Sequence, residues 1–427
     1  TKSIPDLPPI TFHSVDLTAP DITGESTFWS KTINISIKDA ISTSEIIPTN
    51  VPTYANKVIC EHCNQAVSNE QVNCSVCNQT VKSTDNYYIY LMAKSVSTQL
   101  TDNNFKILTK VFPDNALNKR VVYEFVPDPG TNQNIVSISL DGVVFVNGDI
   151  GGTGIIRILP EDSILEDALG HQYYRDGAPS VNIRLVVADG GSKETAIVVS
   201  ELSQIKNPAL HYVLQYKQYA TNKVLFDTFS GGLYGQSEYS DNNAIIALQD
   251  TTLFNTLSME AVVEDLILCG TAQTGTTKFN INSSEVVVGG LLTNVNNGTI
   301  KNIVVDLIDN KQISTITSTR AGYTGGLVGV NNGTIQNSTF AGSVINNAGV
   351  VGGLVGANYG IITKSNVLIY NFKDGETEMI LQGSTVGGLV GELFGNSTIE
   401  QSYVYNFSTT NQMATLTNYG AIVGQIS

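Results

Sequence analysis

Four of the five cysteines are spaced as metal ligands. They form two C-x-x-C pairs, Cys60 with Cys63 and Cys74 with Cys77, and ten residues separate the pairs. Two such turns can place four thiolates at the corners of a tetrahedron, which is the closed coordination of structural zinc. Four cysteine ligands leave no open position for a substrate, so the pattern predicts a structural Zn²⁺ ion. Two disulfide bonds are the alternative, because extracellular proteins mature under oxidising conditions.

The remaining reactive side chains form no recognisable catalytic group. The histidines are His13, His62, His171 and His211. They are far apart in the sequence, and no G-x-S-x-G motif marks a serine nucleophile. His62 lies inside the first cysteine pair and is interpreted as a bystander, since four thiolates complete the zinc coordination. The sequence therefore predicts a protein that is not an enzyme.

Two further features have an ordinary structural interpretation. Cys269 stands alone in an apolar run, which favours a buried structural thiol over a nucleophile. Asp374, Glu376 and Glu378 alternate, which favours a solvated charge cluster, with a weak calcium site as the alternative. Neither feature adds a predicted site to the four cysteines.

Charge and hydropathy exclude two classes of partner. The 427 residues carry a formal net charge of −15 at pH 7, whereas nucleic acid and anionic lipid both require basic surfaces. No apolar run reaches about eighteen residues, the length of a membrane-spanning helix, so we expect no membrane insertion. The chain begins with Thr1 and not with methionine, so we expect a processed chain or a fragment.

One phrase recurs through the C-terminal part at intervals of roughly thirty residues. It reads G-G-L-V-G in its clearest copies, and the copies occupy residues 289–292, 325–329, 352–356, 387–391 and 420–424. A second phrase, N-N-G-T-I, follows at 296–300 and 331–335, with looser copies at 358–362 and 395–399. No Lys-Ser/Thr follows the glycines, so a phosphate-binding loop is not indicated. Self-similarity at a fixed period indicates a repeat architecture.

The repeats predict a solenoid of short parallel strands. Each unit is expected to form an apolar strand, a tight Asn-Gly turn with positive φ, and a second strand such as 299–305 or 334–344. The paired glycines are expected where one coil turns sharply or lies close to the next. A single unit cannot bury its apolar face, so each coil needs its neighbours, and an uncovered end needs a cap or another subunit.

These phrases resemble the GLUG-motif repeats of large microbial cell-surface and adhesin-like proteins. The resemblance extends upstream, so that it covers residues 194–427, more than half of the chain. It implies a β-solenoid and a surface or adhesion role, but no particular activity. The two cysteine pairs, in turn, resemble the knuckles of a zinc ribbon, which implies a small module over residues 56–84.

Residues 86–190 contain seven strand candidates separated by turn signals, which is the pattern of a β-sandwich. The runs 111–116 and 118–125, with 135–138 and 141–144, resemble the bacterial Ig-like group 2 module, in which Tyr123 takes the place of a tryptophan. That resemblance implies a spacer or docking unit on a surface protein.

The sequence thus predicts an all-β protein with four parts. They are an extended β segment (1–55) that ends a preceding module or contacts another subunit, a four-cysteine, zinc-ribbon-like knuckle (56–84), an Ig-like β-sandwich (85–193) and a GLUG-repeat parallel β-solenoid (194–427). The expected function is that of an extracellular stalk, adhesin or filament subunit. Its expected partners are copies of itself, neighbouring domains or glycans. A glycan-active β-helix enzyme (a polysaccharide lyase or hydrolase) and a virion fibre component are the alternatives.

Overall fold

A computed structural model shows that the chain consists almost entirely of β-strands. It describes residues 12–14, 29–31, 43–53, 57–59, 66–68, 87–98, 100–166, 172–175, 177–215, 217–235, 243–270, 278–280, 288–309, 312–319, 321–369, 379–405 and 417–427. The helices in these ranges are four short 3-10 turns, Leu100–Asn103, Gln133–Ile135, Glu161–Ser163 and Leu202–Gln204. No described helix is both long enough and apolar enough to span a membrane. The predicted all-β class is confirmed.

The chain divides into two compact units. One comprises Thr1–Thr49, Thr109–Val122 and Ile158–Val181, and the other comprises Asn50–Leu108, Tyr123–Arg157 and Asn182–Ser427. The antiparallel pairs of the first unit are Phe12–Ser14 with Trp29–Lys31, Glu45–Pro48 with Thr109–Phe112, and Ile164–Glu166 with Gln172–Tyr174. Residues 31–37, whose alternation of polar and apolar side chains predicts a strand, lie largely outside the described residues.

Two sheets precede the repeats. The three-stranded sheet is antiparallel and has the order Val136–Ile138, Val143–Val146, Asn104–Lys106. The four-stranded sheet has the order Tyr87–Met92, Val181–Ala188, Gly152–Pro160, Val121–Pro127. Within it, Val181–Ala188 runs parallel to Tyr87–Met92.

One of the seven strand candidates in the sequence, residues 105–111, is not a single strand. The structure has two strands there, Asn104–Lys106 and Thr109–Phe112, which pair with different partners. The side chain of Asn50 occupies the break, because its Nδ2 donates to Lys106 O at 2.7 Å and its Oδ1 accepts from Leu108 N at 2.8 Å. These bonds satisfy backbone groups that a continuous sheet would have paired.

The repeats form a parallel β-solenoid, in which each coil adds one strand to each of several sheets. Sheet A consists of Ile197–Val199, His211–Leu214, Gly232–Tyr234, Val262–Glu264, Thr299–Lys301, Thr334–Gln336, Ile361–Thr363 and Thr398–Glu400. Sheet B consists of Gln218–Thr221, Ala244–Leu248, Leu266–Gly270, Val304–Asp306, Thr339–Ala341, Asn366–Leu368 and Tyr403–Tyr405. Sheet C consists of Phe226–Phe229, Phe254–Leu257, Thr293–Asn296, Val328–Asn331, Val355–Asn358, Val390–Leu393 and Val423–Ile426. The predicted stacking of parallel coils is confirmed.

In the later coils, the chain passes through a fourth sheet after its strand in sheet B and before its strand in sheet C. Sheet D consists of Lys278–Asn280, Val288–Gly289, Thr315–Ser318, Tyr323–Gly325, Ser343–Gly352, Leu381–Gly387 and Asn418–Gly420. Its strands are parallel, and Ser343–Gly352 is long enough to pair with both Thr315–Ser318 and Tyr323–Gly325 of the preceding coil. A small antiparallel pair, Ile308–Asp309 with Gln312–Ile313, lies in the sequence between the sheet B strand Val304–Asp306 and the sheet D strand Thr315–Ser318.

The core of the solenoid is a stack of identical apolar positions. Ile300, Ile335 and Ile362 are in register on neighbouring strands of sheet A, and all three are completely buried. The leucines of the glycine phrases, Leu291, Leu327, Leu354 and Leu389, are also completely buried. Each such side chain contributes roughly 2 kcal/mol through removal of apolar surface from water. The repeat therefore supplies each coil with the same apolar contacts to its neighbours.

The predicted second strands, 299–305 and 334–344, are interrupted after three residues. Asn302 and Asn337 adopt left-handed conformations, with φ of 53° and 48°, and they turn the chain from sheet A into sheet B. Asn tolerates this region better than most residues because its short side chain forms local hydrogen bonds. The corresponding residues of other coils, Asp265, Lys364 and Gln401, also have positive φ. Every coil from residue 262 onwards thus turns at the same point.

Glycine serves a different purpose in the Asn-Gly phrase from the one predicted. Positive φ was expected, but Gly298, Gly333 and Gly360 are not among the residues with left-handed conformations. Instead, a Cβ at Gly333 would lie 2.7 Å from Asn297 C, and a Cβ at Gly360 would lie 2.8 Å from Asn332 C. Successive coils approach so closely at this corner that only glycine fits.

Candidate functional site

In the sequence, two of the predicted zinc ligands lie between the strands of a short hairpin and the other two follow it. Lys57–Ile59 pairs antiparallel with Ala66–Ser68, and the six residues that connect these strands include Cys60 and Cys63. The four cysteines themselves lie outside the described residues, so the zinc site stays a prediction.

The other residues singled out in the sequence are not brought together. His13 lies on the strand Phe12–Ser14 of the first unit, and His211 begins a strand of sheet A in the second. Cys269 lies partly buried near the end of a strand of sheet B. His62, His171 and the acidic run Asp374, Glu376 and Glu378 lie outside the described residues. In the described part of the chain, no group of three His, Cys, Asp or Glu side chains is arranged to hold a metal ion.

A cluster of ionisable side chains lies on the outer surface of sheet A, in the first coils. Lys193 Nζ lies 2.8 Å from Glu264 Oε2 and 4.9 Å from the centre of the Tyr234 ring. The Tyr234 hydroxyl lies 2.8 Å from His211 Nδ1. Gly232 is the register partner of His211, and a Cβ there would collide with His211 and lie 2.5 Å from Tyr234 Oη. The absence of a side chain at Gly232 therefore permits the contact between His211 and Tyr234.

The environment of this cluster keeps both rings neutral at pH 7. Burial lowers the pKa of His211, and the nearby charge of Glu194 opposes that effect only in part. Burial also raises the pKa of Tyr234, and the charges of Glu264 and Glu194 raise it further. Tyr234 is only 2% exposed, so a substrate has no access to its hydroxyl. The cluster therefore has the character of a structural clamp that binds residues 193–194 to the first coils.

The strand Tyr87–Met92 is joined to the first strand of the solenoid by one hydroxyl group. Tyr90 Oη donates to Ala196 O at 2.7 Å and accepts from Val198 N at 2.9 Å. Asp189 fixes the intervening turn, because it accepts hydrogen bonds from Thr195 Oγ1, Gly151 N and Gly191 N. Burial acts to raise the pKa of Asp189, but these hydrogen bonds hold it below its ordinary value. The solenoid is thus attached to the preceding sheet by specific bonds.

The four-stranded sheet contains a buried ion pair. Arg184 NH1 lies 2.5 Å from Asp128 Oδ2, which also accepts from Thr153 Oγ1 at 2.6 Å. Both charged side chains are about nine-tenths buried, so removal of either would leave an uncompensated charge inside the protein. Sequence inspection could not find this pair, because its members are far apart in the chain with no local motif.

Aromatic rings and a carboxylate meet on the later coils. Tyr359 and Phe394 stack with centroids 4.3 Å apart, and Tyr323 meets Phe394 edge-on at 6.2 Å. Glu392 is 8% exposed and accepts a hydrogen bond from Ser427 Oγ at 2.5 Å. Burial raises the pKa of Tyr323 to about 12, and the adjacent charge and hydrogen bond of Glu392 contribute to the shift. Tyr323 therefore stays protonated at neutral pH, and Tyr359 is the half-exposed ring that a ligand could reach.

Polar side chains also form continuous rows along the coils. Asn296 Nδ2 donates to Asn331 Oδ1 at 2.7 Å, and Asn331 Nδ2 donates to Asn358 Oδ1 at the same distance. All three amides are completely buried. Each also bonds the carbonyl of the glycine two residues later. We call this row the asparagine ladder, and it satisfies buried backbone groups at one corner of the solenoid.

The fold defines the class of this protein: it is an all-β protein whose C-terminal part is a parallel β-solenoid. Comparison of the chain with protein-family models, curated proteins and solved structures found no match of any of the three kinds. Its function is therefore argued from its own residues.

Proposed function

We propose that this chain is a non-enzymatic structural or adhesion protein of a microbial cell surface, acting as a stalk, an adhesin or a filament subunit. The observation that carries the proposal is the uninterrupted stack of sheet A, which contains eight parallel strands. At about 4.8 Å between strands, that stack is about 34 Å long. A rod of this kind provides reach and a repetitive surface, which are the properties that an extracellular scaffold needs.

The surface of the coils supports a role in contact. Thr299, Thr334 and Thr398 occupy one outward row of sheet A with Ile361 between the second and third. Uncharged rows of this kind suit lateral packing or contact with glycans through hydroxyl groups. The ionisable side chains that do meet, such as Lys193 with Glu264, are engaged in holding coils together. This surface favours a scaffold over a glycan-active enzyme.

The parts that precede the solenoid fit the same proposal. The described sheets of residues 87–188, with parallel first and last strands, support the Ig-like module as a spacer or docking unit. Residues 1–55 would end a preceding module or contact another subunit, and an extracellular location follows from the scaffold role. Expected partners are further copies of the chain, neighbouring domains and glycans.

The proposed function predicts binding without turnover. Incubation with a panel of acidic and neutral polysaccharides should release no oligosaccharide and no unsaturated sugar, because a scaffold makes contacts without breaking glycosidic bonds. Release of sugar that disappears in a His211→Ala variant would contradict the proposal, and a His13→Ala variant is the matched control.

We further propose that Cys60, Cys63, Cys74 and Cys77 hold one structural Zn²⁺ ion. Elemental analysis should find about one zinc per chain, the stoichiometry of a closed four-cysteine site. Double replacement Cys63→Ser/Cys77→Ser should abolish zinc retention, whereas Cys269→Ser should leave it unchanged. Removal of zinc by a chelator should expose residues 56–84 to protease and leave the solenoid intact. A zinc-free protein, whose mass is lower by the hydrogens that two disulfide bonds remove, would refute the site.

A further inference from the structure

The dipeptide Asn-Gly occurs three times in the chain, as Asn147-Gly148, Asn297-Gly298 and Asn332-Gly333. This dipeptide is chemically reactive, because the backbone nitrogen of the glycine can attack Cγ of the asparagine side chain. Glycine favours the attack, since it has no side chain to hinder the approach and its backbone rotates freely. The same reaction is therefore available at three places, and the surroundings of each place decide whether it proceeds.

The reaction converts the asparagine to an acid in two stages. First, a bond forms between the glycine nitrogen and Cγ, the bond between Cγ and Nδ2 breaks, and the nitrogen leaves as ammonia with the proton of the glycine N–H. Water then opens the resulting succinimide ring at either carbonyl group, which gives aspartate or isoaspartate. Water is consumed, ammonia is released, and nothing is oxidised or reduced. Ring closure thus requires a glycine N–H that is free of its acceptor and room for the two residues to rotate.

In the solenoid, the preceding coil holds both groups of Asn332-Gly333 that must react. Gly333 N donates to Asn296 O at 3.1 Å, and Asn332 Nδ2 donates to Asn297 Oδ1 at 2.8 Å. A Cβ at Gly333 would lie 2.7 Å from Asn297 C. The close approach of the coils therefore leaves no room for the rotation that ring closure needs.

Asn297-Gly298 is held in the same way. Gly298 N donates to the buried Asn296 Oδ1 at 3.1 Å, and Asn297 Nδ2 donates to Leu257 O at 3.0 Å. A Cβ at Gly298 would collide with Ala261 O. Reaction at either solenoid position therefore requires one coil to separate from the next, and such opening exposes part of the apolar core.

Asn147-Gly148 lies in an open loop that follows the three-stranded sheet. A Cβ at Gly148 would meet nothing within 4 Å, and Gly148 N has no backbone acceptor in the described part of the chain. Asn147 is exposed; its Nδ2 donates to Asn134 O at 3.0 Å and its Oδ1 accepts from Ser137 Oγ at 3.1 Å. Both bonds are exposed, so water replaces them, and the loss of each costs about a factor of five.

We propose that Asn147 deamidates spontaneously in the folded protein, whereas the stacked coils protect Asn297 and Asn332. The same dipeptide thus has two fates, and contact between coils decides which one it meets. The rate at Asn147 should exceed the rate at either solenoid position at least about tenfold, because opening a coil is the less frequent event. The proposal does not depend on the scaffold function, since the reaction needs no partner other than water.

The modification would change a loop that leads to the attachment of the solenoid. A carboxylate at residue 147 cannot donate to Asn134 O, and it adds a negative charge close to Asp149 in the sequence. The loop continues to Gly151, whose N–H donates to Asp189 Oδ2 at 2.8 Å. Isoaspartate also lengthens the backbone at this point. Deamidation therefore alters the loop just before the turn that joins the preceding sheet to the solenoid.

Peptide mapping of the whole folded chain by mass spectrometry tests the proposal. After incubation in mildly alkaline buffer, the peptide that contains Asn147 should show the mass increase of an amide converted to an acid, and those that contain Asn297 and Asn332 should not. In concentrated urea, all three should react at similar rates, because unfolding removes the contacts that distinguish them.

Gly148→Ala supplies a variant that keeps the fold. Open space receives the added methyl group, and the side chain should slow the reaction at Asn147 at least about tenfold, because it hinders the approach of the backbone nitrogen. The solenoid positions should be unaffected. Equal rates at the three positions in the folded chain would overturn the proposal. So would an Asn147 that reacts in urea but stays intact in the folded protein for as long as Asn297 and Asn332 do.

Discussion

Replacing Gly387 by alanine is expected to destabilise the solenoid by about 3 kcal/mol or more, at the upper end of the cost of overpacking. A Cβ at this position would collide with Val390 O and would lie 2.7 Å from Gly424 N. Both obstacles are backbone atoms, and the sheets that contain them are fixed by pairing between coils. Gly387 does not have positive φ, so the cost is steric and not conformational.

Gly352 indicates that this requirement belongs to the repeat and not to one coil. A Cβ at Gly352 would collide with Val355 O and lie 2.7 Å from Gly391 N. In both cases the first glycine of one phrase, on sheet D, therefore lies against the last glycine of the next phrase, on sheet C. Because the steric obstacle is the same at both positions, we expect Gly352→Ala to destabilise the solenoid as much as Gly387→Ala.

Gly148→Ala is the matched control for these variants, because a Cβ there would meet nothing within 4 Å. Its effect should stay within about 1 kcal/mol and can be stabilising, since alanine restricts the unfolded chain. Urea unfolding followed by circular dichroism gives the free energies, and hydrogen exchange of residues 381–393 locates the change. Equal effects of Gly387→Ala and Gly148→Ala would contradict the steric explanation.

The period of the glycine phrases predicted the parallel stack because the same residues make the same contacts in every coil. The turn between sheets A and B was missed for the opposite reason. Its left-handed position is occupied by four different residue types, at Asp265, Asn302, Asn337, Lys364 and Gln401. Neighbouring coils hold the backbone in this conformation even where lysine or glutamine disfavours it. Local sequence alone could not reveal that turn.

The candidate sites likewise divide into those that the sequence reveals and those that only the structure reveals. The cysteine pairs are visible in the sequence because their ligands are close neighbours along the chain. Lys193 and Glu264 are 71 residues apart, and only the fold of the first coils brings them into contact. Gly232 gave no signal either, since its role is to leave room for His211 and Tyr234. Sites that depend on coil register require the structure.

The second large effect on stability is expected from a substitution in the asparagine ladder. Asn331→Ala is expected to lower the free energy of unfolding by about 3 kcal/mol or more, since each buried polar group left without a partner costs about 1–3 kcal/mol. The substitution removes the acceptor of Asn296 Nδ2 and the donor to Asn358 Oδ1, and it leaves Gly333 O with the hydrogen bond from Ile361 N alone. The amides of Asn296 and Asn358 are completely buried, so water cannot replace the bonds that they lose.

A substitution of the neighbouring residue, Asn332, tests whether burial is the cause of the effect expected for Asn331→Ala. Asn332 Nδ2 donates to Asn297 Oδ1 at 2.8 Å, a bond of nearly the same length between the same two coils, but Asn332 is exposed. Asn332→Ala should cost no more than about 0.5 kcal/mol, because water satisfies the groups that it leaves. Parallel urea unfolding of the two variants measures the difference. A similar cost for both would mean that amide pairing itself stabilises the coils, whereas the expected contrast would show that burial makes the ladder indispensable.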